Sequence, residues 1–300
     1  MNGRKLYQNT ISKFEHELQI LNDKSEETPD STVRACWLKA AGIPISAEQS
    51  LKYALPILTE VQLTLFDDYI NKRLNKIPLA HITGRQSFFG VELVIDQRAL
   101  IPRKETELLA NAALELSYKL SEKNKEVQVM DICCGAGNLG LSLAYHNVHC
   151  KVYSTDLSQD AVDLANENIV FLHLENRVSA VQGNLFSAFH SPEYFKKANI
   201  IVCNPPYIPS NKVSELNAET LEHEPEIAFD GGISGLELVG KVIKEAPLYL
   251  TENGWLLMEV GVGQGDFVSL LCKRSYSYKN IENIKDQNGN IRVVMAQKNN

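Results

Sequence analysis

The sequence predicts an α/β protein: a doubly wound, mostly parallel sheet closed by an antiparallel C-terminal hairpin and preceded by a small helical domain. Three observations predict it. From about residue 103 to the end, short apolar runs rich in Val and Ile alternate with stretches of helical periodicity. The last two runs are joined by Asp286-Gln287-Asn288-Gly289-Asn290, whose Asn-Gly step favours a hairpin turn. The first 76 residues instead carry repeated helix-start signals.

Taken in order, Asp30-Ser31 predicts the cap of a helix running to Gly42, ahead of Pro44. Ser46 to Gln49 and Thr59 to Gln62 are capping-box patterns that open the next two helices. These define a helical domain over 1–76. Phe88 to Ile95 reads as two short strands around Gly90, within a connector over 77–102. The main domain, 103–300, starts with a helix from about Glu105 to Leu120. Strands then follow at Val127 to Ile132, Lys151 to Thr155, Val178 to Gln182, Ile200 to Cys203, Trp255 to Val260, Ile281 to Lys285 and Ile291 to Ala296. Helices fall between most of them, at Leu139 to Tyr145, Gln159 to Asn168, Leu236 to Tyr249 and Asp266 to Lys273.

Composition narrows the class. No apolar run reaches the ~18 residues of a membrane span, and the start, Met1 to Lys5, is polar, so a cytoplasmic protein without membrane attachment is expected. The six cysteines show no C-x-x-C spacing, which predicts reduced core thiols and no metal site. The net charge is −7, while residues 1–76 are balanced. From Val213 to Gly240 there is no Lys or Arg, but Glu215, Glu219, Glu222, Glu224, Glu226, Asp230 and Glu237 are all present. Such a stretch repels a nucleic-acid backbone and attracts a basic protein loop. Nucleic-acid binding is therefore not expected.

The first strand of the main domain runs into Asp131-Ile132-Cys133-Cys134-Gly135-Ala136-Gly137-Asn138-Leu139-Gly140, a complete G-x-G-x-x-G at a helix N-terminus. Asp156 closes the second strand, placed to hold the ribose hydroxyls of an adenosine. That spacing suits NAD and S-adenosylmethionine alike. Asp131 favours the second, because a carboxylate there repels a pyrophosphate and suits the cationic end of a methionine-type ligand. After the third strand, Asn184 can read an adenine edge and Leu185 can cover the ring.

The most informative residues are Asn204-Pro205-Pro206-Tyr207, directly after the apolar run Asn199 to Cys203. Two prolines fix φ and remove two donors, leaving carbonyls preorganised as acceptors. The Asn204 carboxamide oxygen and the Pro205 carbonyl can accept from one NH2 group, while the Tyr207 ring offers a face for a flat amide or base. This chemistry suits transfer to an amide or an exocyclic amine.

With these residues the chain resembles the HemK/PrmC family of protein glutamine N5-methyltransferases, from about residue 30 to the C-terminus. The resemblance rests on Pro78-Leu79-Ala80-His81-Ile82-Thr83-Gly84 with Phe88 and Gly90, and on Ile101-Pro102-Arg103-Lys104-Glu105-Thr106-Glu107. It continues through the glycine loop, Asn204 to Tyr207, Glu224-Pro225, Gly231-Gly232, Gly235-Leu236, Glu259-Val260-Gly261 and Gln264-Gly265. It implies a class I, Rossmann-like methyltransferase domain using S-adenosylmethionine, and a helical N-terminal domain that grips the substrate. That substrate would be the Gly-Gly-Gln glutamine of class I peptide chain release factors. Arg103 and Glu105 are candidates for shaping the target pocket, or for a structural ion pair. The chain departs from the family pattern at Cys133 for a glycine, Lys104 for a proline, Asn184 for an aspartate, and Leu185 where an aromatic occurs. Three other readings stay open: an adenine-N6 methyltransferase, which requires a basic groove for a flipped base, a glutamine methyltransferase paralogue acting on another protein, and an interaction protein without turnover.

Overall fold

The computed structural model describes residues 3–17, 24–123 and 125–300. The polar start at Met1 and Asn2 lies outside them. The chain forms two compact units. The first comprises residues up to Gln97, Ile101–Lys104 and, from far downstream, Asn217–Glu224; the second holds the rest.

The first unit contains helices α1 (Gly3–Glu17), α2 (Pro29–Ala40), α3 (Ala47–Ser50), α4 (Glu60–Leu74) and α5 (Leu79–Thr83), then a hairpin of β1 (Arg85–Phe88) and β2 (Val91–Val94). The helix starts follow the capping chemistry, with one displacement. At α2 the cap is Thr28 rather than Asp30-Ser31, because Pro29 has no N–H to satisfy and its fixed φ suits the first helical position; Thr28 Oγ1 accepts from the Ser31 amide at 3.2 Å. Thr59 and Gln62 complete a reciprocal capping box on α4. Phe14, Val33, Cys36, Trp37, Phe66 and Ile70 form the core of this unit, with Trp37 edge-on to Phe66.

Beneath that core lies a buried charge cluster that periodicity does not foretell. Glu219 accepts from Lys24 Nζ at 2.7 Å and from Arg73 Nη1 at 2.8 Å, and Arg73 Nη2 reaches Glu27 at 3.1 Å. Lys24 and Glu27 are each 1 % exposed. Burial alone would raise the Glu219 carboxyl, but Arg73 and Lys24 outweigh it and hold the group below its usual range. Glu219 sits in a short helix, Ala218–His223, capped by Asn217. Close by in sequence, Glu224 accepts from Arg103 Nη2 at 2.6 Å and from the Ile101 amide at 2.9 Å. Two of the acids expected to form a solvated lure are thus internal.

The second unit is the doubly wound sheet. Its strands are β3 (Val127–Ile132), β4 (Cys150–Asp156), β5 (Val178–Gln182), β6 (Ala198–Cys203), β7 (Leu250–Glu259), β8 (Tyr278–Lys285) and β9 (Ile291–Lys298). Their order is β5-β4-β3-β6-β7-β9-β8, parallel through β7, with β9 antiparallel to both β7 and β8. Helices α6 (Glu107–Ser121), α7 (Asn138–His146) and α8 (Gln159–Phe171) precede the short α9 (Ala218–His223), and α10 (Glu237–Glu245) and α11 (Gly265–Arg274) follow it. The hairpin turn closes as its residues dictate, with Gly289 at φ +83° and the Asp286 carboxylate accepting from the Asn288 and Asn290 amides. The chain order reverses between β3 and β6, and β5, β4, β3 and β6 end side by side. Such a switch point opens a crevice at the carboxyl ends of the strands. No described helix is long and apolar enough to cross a membrane.

Candidate active site

The crevice is built from strand ends. Asp131, in β3, is completely buried, and its Oδ2 accepts from the Gly140 amide at 2.9 Å in the first turn of α7. Its Oδ1 has no partner. Burial, opposed by the Gly140 N–H and aided by Asp156, pushes the carboxyl up to about 7. A buried acceptor with nothing to accept suits a cationic group brought in by a ligand.

The glycine loop divides its work. A Cβ on Gly140 would lie 2.8 Å from Val152 Cγ1, so this glycine lets α7 pack against β4. Gly135, at φ +54°, would meet nothing within 4 Å and presents open backbone. Cys133 takes φ +61°, the left-handed conformation in which the family's glycine is at ease and a thiol-bearing residue is strained. Cys134 is buried and donates its amide to the Thr155 carbonyl, and Ala136 is buried beside it.

Asp156 steadies this loop. Its Oδ2 accepts from the Gly135 amide at 2.8 Å and its Oδ1 from the Ser158 amide at 3.0 Å. Burial raises this carboxyl too. At the end of β5 the expected pair separates. Asn184 is exposed, whereas Leu185, at φ +53°, is buried in the core with Met130, Ile132 and Ile201.

The turn after β6 is gripped from several sides. Asn204 Nδ2 donates to Thr106 Oγ1 at 3.3 Å, which leaves its Oδ1 as the acceptor side of the amide. Gln264 accepts from the Gly261 amide and donates to the Tyr207 carbonyl, both at 2.9 Å. Ile208 exchanges backbone hydrogen bonds with Phe229 and Gly231. A Cβ on Gly231 would stand 2.7 Å from the Pro206 carbonyl, and one on Gly235 would collide with the Tyr207 carbonyl. The Gly-Gly and Gly-Leu positions therefore exist to let a second loop close on the turn.

Tyr207 points its hydroxyl inward, donating to Glu259 Oε1 at 3.2 Å. Burial, with Glu259 and Glu105 nearby, holds the phenol well above its usual value. Arg103 and Glu105 part company. Arg103 is buried against Glu224 in the first unit, while Glu105 belongs to the second and accepts from Arg292 Nη1 at 2.8 Å. Sequence reasoning missed Thr106, Glu259, Gln264 and Arg292 as neighbours of the turn. Glu259 did carry a signal, as a carboxylate closing the apolar run Leu256-Leu257-Met258. Arg292 carried none, since only the antiparallel pairing of β9 with β7 brings it there.

Residues 109–233 match the methyltransferase small domain family. Along its length the chain is 33% identical over 240 residues to "Release factor glutamine methyltransferase" of Bacillus cereus, covering 80% of this chain and 83% of that protein. The chain belongs to the release factor glutamine methyltransferase family. The HemK/PrmC resemblance read from the motifs is thereby borne out, as is the class I methyltransferase fold. The "Ribosomal protein uL3 glutamine methyltransferase" of Xanthomonas campestris pv. campestris is also 33% identical, over 216 residues, covering 72% of this chain and 66% of that one. Among solved structures, "delta-N METTL16 MTase domain" superposes with a TM-score of 0.50 at 18% identity, covering 70% of this chain and 89% of that one, a likeness of fold.

Proposed function

We propose that the protein methylates N5 of a protein glutamine, that of the Gly-Gly-Gln loop in class I release factors, using S-adenosylmethionine. The observation that carries this reading is the Asn204 amide. With its nitrogen committed to Thr106, its oxygen is turned to accept, next to a Pro205 carbonyl fixed by the proline turn. Two acceptors so placed take the two protons of a carboxamide NH2 and aim its lone pair, the main obstacle for a nitrogen whose electrons are delocalised. Their hold tightens as positive charge grows on that nitrogen, which stabilises the transition state more than the bound substrate.

When bound, S-adenosylmethionine supplies an electrophilic methyl group. Asp131 would hold its cationic end, Asp156 its ribose hydroxyls and Asn184 its adenine edge, with Cys133 to Gly137 lying along it; Leu185 would contribute only from within the core. Tyr207, its hydroxyl anchored, would offer its ring to the flat amide. A cytoplasmic location fits an enzyme acting on translation proteins.

The relative named for uL3 is as similar in identity as the one named for release factors, so the substrate protein is decided by experiment. Purified enzyme is incubated with methyl-labelled S-adenosylmethionine and either a class I release factor or ribosomal protein uL3, and the modified peptide is identified by mass. Label on the release-factor glutamine is expected. Label on uL3 alone would move the substrate, and label on neither, with adenine oligonucleotides methylated, would overturn the reading.

A further inference from the structure

Behind the acceptor turn lies a buried carboxylate that the methyl-transfer reading does not use. Glu259, the last residue of β7, is 2 % exposed. Its Oε1 accepts from the Tyr207 hydroxyl and lies 3.6 Å from Arg292 Nη2. Its Oε2 is buried without a partner. Arg292 is held by its own contacts, donating to Glu105 at 2.8 Å, to the Val260 carbonyl at 3.2 Å and to the Tyr207 hydroxyl at 3.4 Å. Thr106 completes the cluster. Its Oγ1 already accepts from the Asn204 amide, so its own proton is available to give away, and it favours the ionised form of Glu259. A spare acceptor and a spare donor thus sit beside the two side chains that face the substrate.

We propose, resting on the methyl-transfer reading, that Glu259 is a positioning residue: its carboxylate fixes Tyr207 directly and, through the Thr106 hydroxyl, the orientation of the Asn204 amide. The argument is one of hydrogen-bond direction. With Glu259 ionised, the carboxylate can only accept, so the Thr106 proton is directed toward it and the Thr106 oxygen is left to accept from Asn204 Nδ2, which keeps Asn204 Oδ1 turned to the substrate. With Glu259 protonated, Oε2–H becomes the donor to Thr106. The Thr106 proton must then go elsewhere, and the Asn204 oxygen, once the amide flips, is its nearest use. The acceptor would be withdrawn from the substrate.

The groups facing Glu259 set where this change falls. Burial raises its carboxyl most, Thr106 lowers it, Glu105 raises it, and Arg292 and Tyr207 lower it, leaving it at about 7. Turnover at saturating cofactor should therefore climb as pH rises through about 7 and level off above it.

The test uses the full-length enzyme with a purified class I release factor. In Glu259→Gln, kcat is expected to fall on the order of tenfold to a hundredfold, with the S-adenosylmethionine dissociation constant unchanged and the rise of kcat through pH 7 abolished. Thr106→Val should reproduce the loss while Thr106→Ser restores it, which a merely structural role would not predict. If both variants keep the parental kcat and pH profile while Asn204→Ala loses transfer, the positioning role is refuted and the methyl-transfer reading stands. If Asn204→Ala also keeps its activity, the reading beneath it has failed.

Discussion

Replacing Glu219 by Gln should destabilise the first unit severely. Among the described residues, Glu219 is the only carboxylate placed on both Lys24 and Arg73, at 2.7 and 2.8 Å, and their side chains are almost wholly enclosed. Glu27 answers one of the two cations, so the variant leaves one positive charge without an anion in a dry interior. Removing one partner of a buried pair costs about 3–5 kcal/mol, against a total stability of about 5–15 kcal/mol for a domain. With a urea slope of about 2 kcal/mol/M, the midpoint should drop by roughly 2 M. The chain supplies its own reporters, since Trp37 lies in the core of the first unit and Trp255 in β7 of the second. In a Trp255→Phe background, Trp37 fluorescence follows the first unit alone. A quadruple variant with Met at Lys24 and Arg73 and Leu at Glu27 and Glu219 should recover most of the loss, because the whole cluster can be exchanged for apolar packing. A midpoint shift under roughly 0.5 M for Glu219→Gln would refute the argument.

Other outcomes follow from the active-site crevice and the acidic stretch. S-adenosylmethionine should bind more tightly as pH rises through about 7, because Asp131 is raised to that value and a cationic ligand end requires it ionised; below the midpoint the affinity should fall by up to about tenfold per pH unit. Calorimetry at pH 6, 7 and 8 checks this, and Asp131→Asn should bind weakly with no such slope. Gly235→Ala combines a left-handed φ of +69° with a collision at the Tyr207 carbonyl, so it should cost about 1–3 kcal/mol in strain and lower turnover far more than cofactor affinity. Replacing the exposed Glu215, Glu222 and Glu226 by Gln should slow methylation of a basic partner at low salt, with the difference fading at high salt. Rates measured across ionic strength decide it.

The central strands β3 and β6 were legible because they are buried on both faces and mostly apolar, and the acceptor turn because two prolines after such a strand are rare. The glycine loop was only half legible. Its pattern marked a close approach, but whether Gly135 or Gly140 meets a ligand depends on where Val152 stands across the sheet. The acidic stretch misled because charge predicts solvent unless cations wait inside. Lys24, Arg73 and Arg103 lie more than a hundred residues away in sequence from the acids they bury. A separation of 85 residues hid Arg292 from Tyr207, and the distance between Arg103 and Glu224 left open in sequence whether Arg103 serves a pocket or an ion pair. The buried pairing with Glu224 favours the ion pair.

The way Asn217–Glu224 returns to the first unit has a consequence for how the protein is made. The chain leaves that unit after Lys104 and comes back more than a hundred residues later. At about 5–20 residues per second, translation leaves an interval of roughly 6–24 seconds in which the early helices have emerged while Arg73 and Lys24 still lack the carboxylate of Glu219. During that interval two cations destined for a dry interior must stay hydrated or find other partners. The helices are thus free to form early but gain their last internal contacts only after β6 and the Asn204 turn that follows it have been synthesised. A fragment ending at residue 76 or 97 would remain in that waiting state, and an enzyme lacking residues 1–76 would carry the converse defect, with Glu219 deprived of both its cations.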